Sequence, residues 1–439
     1  MNRADRVETA WAAQLDDIPG LRELPRELDS PGLRYFLDYV RYGTTSDENS
    51  ESCPSTASQR KLAERLLADL KALGLRAEMD ENGYVYGWLP ASVSAKKGLT
   101  IGWIAHMDTS PELSGDGVCP RIQTYQGEPL ALDAEGNYQL HESRFPNMAK
   151  LRGRHLVTTD GRTLLGADDK AGVAAIMGML ESYTSCPDLP HPALAVAFTP
   201  DEEIGRGAHR FDVSRFGADF AYTLDGGPLG ELESECFNAA GAHIRFHGLS
   251  VHTGTAKNQM VNASLLARDF AMLFPDEETP QATEGREGFF HLCDMRGCVD
   301  EAELSYIIRD FEREGFEARK AKMEAAVTRF RERYGAEAVD FDMWEQYRNM
   351  GEILKDFPLP LDLARSAMRE LGIEAIEQAI RGGTDGSQLS FKGLPCPNIF
   401  TGGENFHGRY EILCVESFNR LQDLLLTIGK RGASVESRG

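Results

Sequence analysis

Cations are scarce in this chain, with 47 Lys and Arg against 69 Asp and Glu and a formal charge of -22. That balance argues against nucleic acid or an anionic membrane as partner, because both select for clustered Lys and Arg. Long apolar runs are missing as well. No stretch of 18 or more apolar residues occurs, which excludes a spanning helix of ordinary length, and residues 1–20 lack the basic start and apolar centre of a secretory signal. The expectation is a cytoplasmic protein. Eight cysteines (Cys53, Cys119, Cys186, Cys236, Cys293, Cys298, Cys396, Cys414) are scattered without a C-x-x-C pair, so neither a zinc knuckle nor a disulfide scaffold is indicated. Internal repeats are absent.

What is present fits a globular protein of two or three domains: 439 residues, 41% hydrophobic and 26% charged. From Ser55 the chain is periodic. Leu62, Ala63, Leu66, Leu67, Leu70 and Leu73 form a helical apolar stripe that stops at Gly74. Segments 75–79 and 84–89 flank Asn82-Gly83, a pair that tolerates positive backbone angles, and predict a hairpin. Segments 99–105, 193–198, 220–224 and 397–400 read as buried strands, 109–159 as loops with small strands, and the tail after Lys430 as disordered.

Between Asp225 and a helix starting near Leu361 the pattern changes. Ala242, Ile244 and Phe246 alternate with His243, Arg245 and His247, predicting a half-exposed strand. Segment 260–274 reads as a helix, 304–311 as a strand and 316–334 as a long charged helix. Two helices and about four strands predict an α+β sandwich inserted in the larger domain.

Ionisable residues recur just past the strands. Leu164-Leu165-Gly166-Ala167-Asp168-Asp169-Lys170-Ala171-Gly172 breaks an apolar run at a glycine and puts two carboxylates before a helical stripe. Adjacent carboxylates resist ionising together unless a cation or a shared proton offsets the repulsion, which points to a divalent metal; helix capping is the other reading of this stretch alone. The 99–105 strand runs into His106-Met107-Asp108, where alternation turns residues 106 and 108 to one face and lets Asp108 buttress the His106 ring. Alone, that pair reads equally as a structural hydrogen bond. The other strands end in Asp201-Glu202-Glu203, in Asp225, and in Glu404-Asn405-Phe406-His407. Acids at four successive strand ends, with a histidine at two, mark the edge where open α/β sheets carry their sites. His106, Asp168, Glu203, Asp225 and His407 offer the nitrogen and oxygen donors of zinc, and one bridging carboxylate with two ligands per metal gives a two-metal site.

In order and spacing these residues resemble the di-zinc aminoacylase and carboxypeptidase clan of metallopeptidases, and within it the tripeptide aminopeptidases. The resemblance covers about 25–430. It is carried by Ile104-Ala105-His106-Met107-Asp108-Thr109-Ser110, by Thr158-Thr159-Asp160-Gly161-Arg162-Thr163 running into the double aspartate, and by Phe198-Thr199-Pro200-Asp201-Glu202-Glu203. Tyr306-Ile307-Ile308-Arg309-Asp310-Phe311 and Arg381-Gly382-Gly383-Thr384-Asp385-Gly386 continuing to His407 complete it. The implied fold is α/β, a mixed sheet flanked by helices carrying the di-metal site, with an inserted α+β sandwich serving as lid or dimerisation domain. The expected division is an N-terminal extension at 1–28, a discontinuous catalytic domain at 29–237 and 353–439, and the inserted domain at 238–352.

The resemblance implies two zinc ions per subunit, His106 and Asp225 on one, Glu203 and His407 on the other, and Asp168 bridging them. Asp108 would orient His106, Glu202 would be the general base toward a metal-activated water, and the Asp168-Asp169 peptide would be cis. It further implies that His252 helps hold the transition-state oxygen and that Arg309 and Arg381 bind a peptide carboxylate, with Asn262 and Asn405 as candidates for substrate hydrogen bonds. By chemistry alone His252 reads equally as a satisfied surface histidine, and each arginine as half of a structural ion pair. The implied activity is zinc-dependent release of the N-terminal residue from tripeptides, acting on a short peptide with a free N-terminus and compatible with a homodimer through the inserted domain. A dipeptidase or an N-acyl amino acid amidohydrolase on the same scaffold is the alternative. A non-catalytic relative would be expected to have lost the base or a ligand, and none is missing. The chain departs from the family pattern in a longer N-terminal extension, in Thr253 where proline is common, and in Glu404 where an aromatic is usual. The last two bear on chain-length preference rather than on catalysis.

Overall fold

Four short apolar runs, buried on both faces and so lacking polar alternation, lie side by side as parallel strands: Ala193–Thr199, Thr100–His106, Phe220–Gly226 and Asn398–Phe400. Antiparallel strands flank them, Val85–Leu89 and then Arg76–Met79 on one side and Leu232–Glu233 on the other, giving a mixed seven-stranded sheet. The Asn82-Gly83 hairpin forms as expected, with Met79 opposite Val85. In this computed structural model residues 15, 17–96 and 98–435 are described. They divide into two units, Met1–Ser234 with Glu352–Gln378 and Thr384–Gly439, and Glu235–Gly351 with Ala379–Gly383. Among the described residues no helix is long and apolar enough to cross a membrane.

In the first unit, the helix Ala167–Ser185 packs against the central strands and is apolar nearly all round, as a helix buried on every side must be. Its closest approach needs glycine, because a Cβ at Gly172 would collide with the Leu224 carbonyl oxygen and the Asp169 carboxylate. The helix Pro31–Tyr39, not anticipated above, packs against it. Ser30 caps that helix by accepting the N–H of Leu33, and Pro31 stands in its first turn, where a missing N–H costs nothing. A second, four-stranded sheet orders Gly403–Glu404, Ile412–Cys414, His155–Thr158 and Arg121–Thr124 over a core including Tyr125, Leu140, Met148 and Leu156.

The C-terminal end differs from expectation, and the N-terminal extension is packed where it is described. Much of the expected extension lies outside the described residues, but Leu15, Ile18 and Leu24 are buried and Pro19 accepts the N–H of Ile122, so its described part is packed. The last helix, Val415–Gly432, carries past Lys430, and residues 431–435 are ordered rather than loose. Residues 436–439 lie outside the described set.

The second unit is a four-stranded antiparallel sheet in the order Phe289–Gly297, Glu301–Asp310, Asn238–His247, Val339–Tyr347, with the helices Ala263–Ala271 and Arg313–Tyr334. Alternation decides its core. Ala242, Ile244 and Phe246 turn inward to meet Leu304, Ile308, Phe270 and Phe330, while His243, Arg245 and His247 point outward among Glu303 and Asp340. The helix expected over 260–274 is shorter, because Val261 bridges Leu249 and the Asn262 side chain caps the helix by accepting the N–H of Leu265.

Candidate metal centre

The parallel strands share one direction, so their C-terminal ends open on one edge, and each delivers a donor there. His106 is the last residue of its strand, Asp225 the next to last of its own, and Glu202 and Glu203 follow the strand that ends at Thr199. The segment after Phe400 leads through the short Gly403–Glu404 strand to His407. His407 holds φ 62° and Asn405 φ 59°, left-handed backbone that a non-glycine residue occupies at a cost of about 1–3 kcal/mol.

The donors converge around Asp168. Its Oδ1 lies 2.9 Å from His106 Nε2 and its Oδ2 3.2 Å from His407 Nε2, so each oxygen faces a different imidazole. His106 Nε2 is also 3.5 Å from Asp225 Oδ1, and His407 Nε2 is 3.1 Å from Glu203 Oε2. The peptide between Asp168 and Asp169 is cis. Asp108, wholly buried, does more than steady a ring. Its backbone oxygen lies 3.1 Å and its carboxylate 3.5 Å from His106 Nδ1, while Oδ1 and Oδ2 accept the N–H groups of Glu202 at 3.0 Å and Glu203 at 3.1 Å.

Electrostatically the pocket holds more acid than its histidines can offset. Burial, then the charge of Asp225, raises Glu202 well above the usual carboxyl range, and burial with Asp168 pushes Glu203 up to about 8. Burial and Asp168 likewise lift Asp225 to about 6. Asp168 alone goes down, because the hydrogen bonds of His106 and His407 outweigh its burial. His407 rises to about 11 through its bonds to Asp168 and Glu203, and His106 rises because Asp225, Asp108 and Asp168 overcome its burial. At an effective dielectric of about 20, two like charges about 4 Å apart repel by roughly 4 kcal/mol, so several carboxylates in this space favour a bound proton or a cation.

The residues fit a pair of divalent ions. His106, Asp168 and Glu203 place donor atoms within 4.8 Å of one another, as do His106, Asp169 and Asp225. Glu203 Oε1 is buried and has no hydrogen-bond partner among the described residues, which is how a ligand oxygen looks without its ion. The donor set of imidazole and carboxylate suits zinc among other divalent metals.

Three further buried acids, two of them not singled out in the sequence, also belong here. Asp169 accepts the N–H groups of His106 and Gly172, tying the strand to the helix. Asp385 lines one cavity with Glu202, Asp225 and His106, accepts from the Thr199 hydroxyl, and is lifted to about 7, chiefly by burial. Its sequence signal was weak, an acid after Gly382-Gly383-Thr384 at the start of a helix. Glu411 accepts the N–H groups of Leu165, Gly166 and Asp168, and nothing in its own neighbourhood of the chain flags it.

The candidate substrate residues have local partners. Asn147 donates to Asn405 Oδ1 and to Glu404, while Asn405 Nδ2 is buried without a partner among the described residues. In the second unit, His252 is exposed and its Nδ1 accepts the N–H of Gly254. Arg309 Nη1 donates to the carbonyls of Ala240 and Ile308, and its guanidinium lies over the Tyr347 ring. Arg381 donates through both Nη atoms to Gly285, Glu287 and Thr283 and packs over Phe237 and Phe289. Asn262 serves as the helix cap described above.

Known proteins are similar to this chain in sequence and in fold. Residues 235–338 match a family model described as a peptidase dimerisation domain. Over 397 residues the chain is 50% identical to peptidase T of a Geobacillus species, a match covering 90% of this chain and 97% of that one. Aminopeptidase PepT from Bacillus cereus has a similar fold, with a TM-score of 0.70 at 22% identity over 92% of this chain and 98% of the other. So has a Bacillus subtilis protein described as a dinuclear metal binding peptidase of the M20 family, with a TM-score of 0.59 at 14% identity over 93% and 99%.

Proposed function

The chain belongs to the peptidase T family, and from that premise we propose that it is a zinc-dependent aminopeptidase releasing the N-terminal residue of tripeptides in the cytoplasm. The observation that carries the reading is the gathering of two imidazoles and two further carboxylates, Asp225 and Glu203, around Asp168, with Glu202 lining one cavity with His106 and Asp225 and Glu203 Oε1 left without a partner among the described residues. His106 and Asp225 would hold one zinc, Glu203 and His407 the other, and Asp168 both. A pair of zinc ions held by these residues would supply Lewis acidity toward the scissile carbonyl and the attacking water.

The chain's own residues do the rest. Glu202 accepts a proton from the water and returns it to the leaving amine; burial and the neighbouring Asp225 raise its proton affinity, as that task requires. Asp108 aims the catalytic pair, because one carboxylate accepts the N–H groups of both Glu202 and Glu203 while it sets the His106 ring. Arg309, whose hydrogen bonds among the described residues run through Nη1, keeps a fork for the peptide carboxylate, and Arg381 and His252 are assigned with it to the far end of the substrate. The unpaired Nδ2 of Asn405 supports a hydrogen bond to the peptide. The second unit, matched to a dimerisation domain, supports a homodimer.

Product analysis tests the proposal. A free tripeptide, a dipeptide and an N-acetylated tripeptide are incubated separately with zinc-loaded protein, and the N-terminal residue is expected from the free tripeptide alone. Cleavage of the dipeptide or the blocked peptide in its place would move the protein to a dipeptidase or amidohydrolase activity on the same site.

A further inference from the structure

We propose that Glu411 is a positioning residue of the metal centre, holding the backbone that carries Asp168. The inference rests on the reading of Asp168 as a ligand shared by two ions. Glu411 is 1% exposed. Its Oε2 accepts the N–H groups of Leu165 and Gly166, each at 2.8 Å, and its Oε1 accepts that of Asp168 at 2.9 Å.

Nothing local does this work. The first N–H groups of a helix have no partner inside it and normally meet a side chain at the N-cap. Here the N-cap is Gly166, in left-handed backbone at φ 81° and with no side chain to offer. Asp168 and Asp169 depart from helical geometry, at φ -87°, ψ 106° and φ -120°, ψ 34°, so regular helix bonding does not hold the Asp168 peptide in place. The first bond along the helix runs from the Lys170 N–H to the Gly166 carbonyl at 3.2 Å. Glu411 therefore caps the helix from a distant part of the chain. It is itself anchored, because the next residue opens the Ile412–Cys414 strand, which pairs with His155–Thr158 and Gly403–Glu404. Lys170, wholly buried and donating to the Tyr42 carbonyl, supplies a positive charge close by. Moving Glu411 moves the peptide that aims the Asp168 carboxylate at His106 and His407.

Glu411→Gln keeps the shape but offers one carbonyl oxygen, so an NH2 group must face either Asp168 N–H or the Leu165 and Gly166 pair. The measurement is zinc affinity by competition with a chelator, alongside kcat, KM and the unfolding midpoint of the metal-free protein. A positioning role predicts a fall in zinc affinity of about 10–100-fold, with kcat lowered and KM little changed. A lower metal-free midpoint with zinc affinity within twofold of the parent would overturn it, since that is what a purely structural cap produces. Asp168→Asn in parallel separates the two levels. If Asp168→Asn keeps both zinc ions, the ligand reading falls and this inference with it; if Asp168→Asn loses zinc while Glu411→Gln binds like the parent, only this inference falls. Should Glu411→Gln fail to fold, Glu411→Asp keeps the charge, retracts it by one methylene, and is read by the same affinity criterion.

Discussion

In the first unit Glu202, Glu203 and Asp225 stand close to one another with proton affinities raised by burial and by neighbouring carboxylates, whereas in the second unit Arg381, Asn262 and His252 meet nearby backbone groups. The outward charges of the second unit pair across strands at the surface, as Arg245 does with Glu303 and His247 with Asp340. Surface pairs of that kind contribute little, commonly under about 1 kcal/mol. Charge that local partners satisfy says little about a ligand. Buried acids without enough partners say more, because a bound proton or a cation must offset their charge.

The sharpest way to break this contrast is Glu202→Gln, which keeps shape and removes the proton acceptor. We expect kcat/KM to fall by about 10²–10⁴ with zinc content and unfolding midpoint near the parent's, and unchanged turnover would dismantle the mechanism. Next comes Glu233, a buried acid of the first unit outside the donor set, which accepts from Asn398 and is lifted to about 8 by burial and by Glu231. With the folded value above the ordinary 4.5, the folded state holds the extra proton between those two pH values, so its contribution to stability falls as pH rises through that window. Glu233→Gln should therefore change the midpoint little at pH 4 and raise it by roughly 5 °C above pH 8. Equal midpoints across that range, measured by scanning calorimetry, would mean that burial is not penalising this carboxylate. The smallest effect belongs to the second unit. Asn262→Ala should cost about 1 kcal/mol of stability through the lost cap and leave KM within about twofold. A tenfold rise in KM in peptide kinetics would instead make Asn262 a substrate residue and blur the contrast between the units.

Much of the fold was legible because it is written in local patterns. The runs at 99–105, 193–198 and 220–224 are too short and too apolar for surface helices, and they are the buried strands of the central sheet. Asn82-Gly83 marked its hairpin by backbone preference alone. The helix Pro31–Tyr39 was missed although Ser30 and Pro31 carry a start signal, because its stripe of Leu33, Phe36 and Leu37 is short. The 260–274 helix was drawn too long, because periodicity does not see that Val261 prefers a strand partner at Leu249. At the candidate site, the histidines and acids chosen for their positions past strand ends are drawn together around Asp168. Asp385 and Glu411 escaped notice, since what they touch lies far away in the chain.

By itself the sequence determined where strands stop and which ionisable residues stand there, since alternation, apolar run length and turn chemistry are properties of neighbours. It also determined the family, through segments whose order and spacing survive reading as text. Only the tertiary structure decided what each acid does. Asp108 became the acceptor for two backbone N–H groups more than ninety residues away, and Glu411 the cap of a helix that begins more than two hundred residues before it. A carboxylate looks the same in the sequence whether it meets water, a metal or an amide, and its partner is fixed by burial and long-range packing that no local pattern encodes.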